Sequence, residues 1–187
     1  MFEALLGATH RVSRALTWVA GALIVGSAFL VTLEVFLRKL FNISLGGADE
    51  ISGYAFGVAT TLSLSYALFE RAHVRVDALV GVMPGWLRTP VNLFGLMLLI
   101  SFAGIVVVMV WSMVMDTLEY GSRSITPMRV PLAIPQIPWM LGWMFFVFSG
   151  CLIGLVAVLR WLRRDHAGVH ALIGVKSLDE QIQDETV

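Results

Sequence analysis

Apolar residues along this chain do not alternate with polar ones. They gather into four uncharged runs, residues 15–33, 51–69, 89–115 and 130–159. A helix needs about 20 apolar residues to cross the hydrocarbon of a bilayer, so the runs predict four membrane spans, at about residues 15–37, 51–69, 90–115 and 136–162. Residues 2–14 set Leu5, Leu6 and Val12 among His10, Arg11 and Arg14, a spacing that suits an interfacial helical lead-in. Glycines in residues 44–50 break the first helix, and Asp49 and Glu50 stand where the positive end of the next helix begins. Asp77 is placed to cap a short interfacial helix before Pro84. Pro127, Pro131, Pro135 and Pro138 predict a stiff, extended strap that leads into the fourth span. Beyond Arg164 the chain turns polar, with Ser177 and Glu180 in capping-box spacing. The expected fold is an all-α integral membrane protein with four transmembrane helices and short interfacial helices. It forms one membrane domain, residues 1–164, and a cytoplasmic tail, residues 165–187.

Composition agrees with the pattern. Hydrophobic residues make up 58% of the chain and charged residues 14%, against roughly 25% charged in soluble domains. Thirteen basic and thirteen acidic residues give zero formal charge, so no global field favours nucleic acid. The single cysteine, Cys151, excludes an intrachain disulfide and a Cys-rich metal site. The first run is longer than the apolar core of a secretory signal and is expected to be a retained span. Four crossings put Arg11, Arg14, Arg71, Arg75, Arg88, Arg160, Arg163, Arg164 and Lys176 on one side, and Arg38, Lys39, Arg123 and Arg129 on the other. The basic-rich side stays in the cytoplasm, so both termini are expected there. Trp18, Trp86 and Trp161 at one interface and Trp111, Trp139 and Trp143 at the other fit the same frame.

Chemistry is sparse. The last three apolar runs hold no Asp, Glu, Lys, Arg or His, whereas a self-sufficient carrier needs something inside the membrane to hold its cargo. Glu34, about 12 Å from the middle of the first span by helical rise, has Arg38 four residues on. The pair reads as an interfacial i,i+4 ion pair, with a transport carboxylate as the other reading. His10, His73, His166 and His170 all lie outside the spans, which argues against haem ligation in the bundle. No nucleophile elbow, phosphate loop or metalloprotease motif is present. No enzyme activity, catalytic residue, cofactor or metal is expected. Gly53, Gly57, Thr61 and Ser65 recur every four residues, and Gly150 and Gly154 repeat the device. Such small-residue stripes let helices approach closely, either inside this bundle or against a second subunit.

A set of residues in order, Arg38-x-x-Phe41, Gly47-Ala48-Asp49-Glu50, His73-Val74-Arg75-Val76-Asp77, then Ser124 through the prolines to Gly142, resembles the DctQ-like small membrane subunit of tripartite ATP-independent periplasmic (TRAP) transporters. The resemblance covers roughly residues 15–160. It implies a four-helix subunit of the bacterial inner membrane that scaffolds a larger, elevator-type DctM-like subunit. That partner would hold the substrate and sodium sites, and a periplasmic substrate-binding protein would deliver organic acids. Membrane lipids are the remaining expected contact. His73, Arg75 and Asp77 are then either a cap and ion pair fixing the inner loop or contacts to partner or headgroups. Two further classes stay open: a membrane-anchor subunit of a redox complex, from the helix count, and a small exporter working through Glu34.

Overall fold

The computed structural model describes residues 2–71, 85–163 and 165–174. They form five helices: α1 (Phe2–Phe41), α2 (Ala48–Phe69), α3 (Gly85–Tyr120), α4 (Ala133–Leu162) and α5 (His166–Ile173). Three of them are long and apolar enough to cross a membrane: Phe2–Phe41, Leu87–Tyr120 and Ala133–Leu162, each with an 18-residue stretch whose mean hydropathy is 2.1, 2.8 and 2.2 respectively. The chain is therefore an all-helical membrane protein. α2 has 22 residues, about 33 Å at 1.5 Å per residue. Glycines and hydroxyls interrupt its apolar run, and it is not among those three.

α1 is longer than the expected lead-in and span, running 40 residues without a break, about 60 Å. Nothing between residues 2 and 41 disrupts a helix. The hydroxyls of Thr9, Ser13 and Thr17 donate to the carbonyls of Leu5, His10 and Ser13, which lets polar residues ride inside the helix without exposing unmade bonds. Leu6, Thr9, Ser13 and Ala20 form its buried stripe. α5 lies within the stretch expected as tail. Asp165 caps it by accepting from the Gly168 N–H at 2.9 Å, and Val169 and Ile173 are each 1% exposed.

The long helices stand in the order α1, α2, α4, α3, and α5 rests on α4 and α3. α4, flanked on both sides, is the most buried of the three long apolar helices. The connections α1–α2 and α3–α4 share one end of the molecule, here the loop end. At the opposite, terminal end, Arg160 of α4 binds Glu3 of α1 at 2.7 Å and donates to the Gly168 carbonyl of α5 at 2.9 Å. One core, with Leu68, Leu96, Phe146, Ile153 and Val156, lies toward the terminal end; a smaller one, Val110, Val114 and Met140, lies toward the loop end.

Glycine sets the helix spacing. A Cβ on Gly142 would stand 2.5 Å from Thr61 Oγ1 and 2.9 Å from the Thr61 backbone carbon, so α2 and α4 touch there through backbone. A Cβ on Gly150 would crowd the Ile100 side chain, at 2.8 Å, and touch Leu68 at an ordinary 3.6 Å; the Ile100 side chain can turn aside. Gly142→Ala is expected to destabilise the chain by about 1–3 kcal/mol through overpacking. Gly150→Ala should cost clearly less. Thermal unfolding of the two variants in detergent, measured side by side, checks the order.

Candidate functional site

The loop end carries the conspicuous polar chemistry, and it begins with how α1 stops. Asn42 takes a left-handed conformation, φ 53°, and the Ile43 N–H returns to the Leu37 carbonyl at 3.3 Å, the helix ending in which an asparagine replaces glycine. The chain turns back over the helix. Ser44 Oγ and the Leu45 N–H then each donate to the Glu34 carboxylate at 2.7 Å, while Arg38 donates from the next turn. The Glu34 side chain is only 4% exposed and that of Arg38 is 60% exposed. Glu34 thus sits inside its own loop with three donors, in the geometry of an anchor.

Glu50, in the first turn of α2, holds the second connection. It accepts from Tyr54 Oη at 2.6 Å and from Thr126 Oγ1 across the loop end. Thr126 in turn shares a hydrogen bond with Ser124, which receives the Val130 N–H. The hydroxyls of Thr126, Tyr54 and Ser124, in that order, hold the Glu50 carboxyl below the usual carboxylate range.

The expected extended strap is folded back on itself. Ser124 N–H donates to the Val130 carbonyl, Leu132 N–H to Ser122, and Arg129 N–H to Thr126. Pro127 occupies the second position of that last turn, where its fixed φ is favourable, so the prolines shape a hairpin-like loop where they were expected to keep the segment straight. Met128 covers Gly47, whose missing Cβ makes room for the thioether. The two connections are interlocked.

The other residues singled out from the sequence are dispersed. Gly150 and Gly154 face Ile100 and Leu96 of α3. Thr61 and Ser65 are buried. Gly53 has open space where a Cβ would project, and Gly57 meets only Trp139, at 4.0 Å. His73, Arg75 and Asp77 lie outside the described residues. Sequence reasoning did not single out Ser44, Thr126, Met128 or Gln136. It also missed the terminal-end contact in which His10 lies against Tyr66 and Phe69, with Nε2 3.5 Å from Glu70 Oε1. None of these carries a local signal, since each finds its partner through the fold.

Two substitutions test the anchors. Glu34→Ala leaves Ser44 and the Leu45 N–H without their acceptor, so amide exchange across residues 43–46 should quicken; Glu34→Gln should quicken it less. Glu50 has a folded pKa lowered from its unfolded value, so its contribution is present above the ordinary carboxylate range, about pH 4.3, and fades as pH falls through the lower folded value. A nitroxide on Ile125→Cys should hold one mobility from pH 8 to about 5 and loosen only in stronger acid. With Glu50→Ala added, it should be loose throughout.

The loop end is a braced frame built from two tied-down carboxylates. Among the described residues, no three His, Cys, Asp or Glu side chains converge to hold a metal ion. No curated protein and no solved structure matches the chain. Residues 27–166 match the family described as tripartite ATP-independent periplasmic transporters, DctQ component, a stretch that reaches from α1 to the start of α5 and takes in the whole loop end. The chain belongs to the DctQ family, the small permease component of these transporters.

Proposed function

We propose that this chain is the small subunit of a sodium-coupled, binding-protein-dependent importer of organic acids, and that it braces a larger, elevator-type DctM-like subunit. Family membership carries the reading. The distribution of charge supports it: residues 51–69, 89–115 and 130–159 hold no Asp, Glu, Lys, Arg or His, and Glu34 is taken up by three donors of its own chain. A carrier needs an intramembrane grip for ion or solute. In this reading the grip belongs to the partner.

On this reading α2 is the fourth crossing, since about 33 Å of helix matches a hydrocarbon core of about 30 Å. The excess of basic residues at the terminal end supports a cytoplasmic position for it, with the loop end toward the periplasm of a bacterial inner membrane. A periplasmic binding protein would deliver the carboxylate on the loop-end side. Glu34, Arg38 and Glu50 serve as structural ties, Gly150 and Gly154 as packing surface, and His73, Arg75 and Asp77 as the fixings of the inner loop.

Topology is open to direct measurement. In a Cys151→Ser background, Ile125→Cys should react with a membrane-impermeant maleimide from the periplasmic side, and Ser177→Cys only after the membrane is opened. Transport is tested in proteoliposomes with an inward sodium gradient and labelled four-carbon dicarboxylates or sialic acid. Uptake is expected only when the large subunit and the binding protein are both present with this chain. Uptake by this chain alone would overturn the proposal.

A further inference from the structure

α2 and α3 lean on opposite sides of α4 and hardly meet each other. Between them, near the loop end, runs an apolar groove of about 260 Å³. Gly53 and Gly57 of α2 form one wall, Met113 of α3 the other, and Pro135, Gln136 and Trp139 of α4 the floor. The Gln136 amide oxygen is shut off from solvent and accepts no hydrogen bond. A buried acceptor left unmade is costly, and in a helix bundle it is the kind of group that a neighbouring helix satisfies. Tyr54 and Val58 also line the α2 wall, but it is notched beside them, because Gly53 has open space and Gly57 only a 4.0 Å contact where side chains would project.

The rim adds charge. Asp49 lies one turn nearer the loop end than Gly53 on the same face of α2, and Asp116 lies one turn beyond Met113 on α3. Both are exposed, and neither is ion-paired with a described residue. Asp116 also sits at the negative end of its helix, where a carboxylate is disfavoured without a cation nearby.

An acyl chain fills apolar volume but brings no donor to Gln136. A helix does both. We infer that this groove receives a transmembrane helix of the large subunit, which sets a bulky side chain with a hydrogen-bond donor, such as Trp or Tyr, against Gln136. A Lys or Arg at that helix's outer end meets Asp49 and Asp116. The inference rests on the subunit reading above and assigns it a face.

The test uses the chain co-expressed with a tagged large subunit. With benzoylphenylalanine replacing Gly57, illumination should give a covalent adduct with the tagged subunit. Gln136→Leu should weaken co-purification roughly three- to tenfold, the worth of an interhelical hydrogen bond. The same substitution should leave the melting temperature of the isolated chain unchanged or raise it, since it removes an unmade acceptor. If the complex co-purifies but position 57 captures only lipid, or Gln136→Leu binds as well as the unaltered chain, the groove assignment is overturned and the subunit reading stands. If the unaltered chain retains no large subunit, both fall.

Discussion

Lipid tails are as apolar as leucine, so helices in a bilayer gain little by hiding leucines from one another and associate where backbones come close or polar groups meet. Among the described glycines, the one that comes within 3 Å of the backbone of another helix is Gly142, at Thr61, where α4 meets α2. The Ile100 side chain then fills the notch at Gly150 and seats α3 on the other side of α4. Because α4 is the shared spine, α1 and α3 become the outer members of a row, and each keeps a long apolar face turned outward. Phe29 of α1 and Val108 of α3 are both 70% exposed. Such a row presents far more lateral surface than a compact four-helix bundle of the same length.

Polar groups fasten what close packing does not reach. At the loop end, Glu34 ties down the turn after α1, and Glu50 reaches 76 residues along the chain to Thr126. At the terminal end, Arg160 joins Glu3 of α1 to the Gly168 carbonyl of α5. Exposed ion pairs contribute little each, but Glu34 is buried among donors, and buried donors lose heavily when their acceptor goes. The row is thus clamped at both ends while its middle rests on shape alone. That distribution suits a subunit proposed to stand still while a neighbour moves.

The long helices were legible because a hydrocarbon core leaves a mark of known length in the sequence. Their ends were less so: apolarity reports the part of α1 that suits lipid, whereas its hydrogen-bond ladder continues through Arg11 and Arg14 back to Phe2. The Glu34–Arg38 pair was legible, since i,i+4 neighbours need only a helix. Ser44 and Leu45 were not, because their approach depends on the left-handed turn at Asn42. Prolines announced an irregular segment between α3 and α4 but not its direction, and the fold-back follows from the turn at residues 126–129 and the hydroxyls that seat it on Glu50. A repeat of small residues on α2 identified a face. Which neighbour that face meets depends on α4, whose Gly142 takes Thr61 and leaves Gly53 open.

The same geometry explains why the polarity of α2 is divided along its length. Toward the terminal end, Ser65 is fully buried and Thr61 nearly so, in contact with the chain's own helices. Toward the loop end the stripe opens beside Gln136, because α3 packs on the far side of α4 and never closes over it. A chain that folded for itself alone would gain by moving α3 across that gap or by replacing Gln136 with leucine. Keeping the gap and its unmade acceptor is intelligible if a further helix completes the row, so one stripe of small residues serves first the inside of this protein and then the surface it offers to a partner.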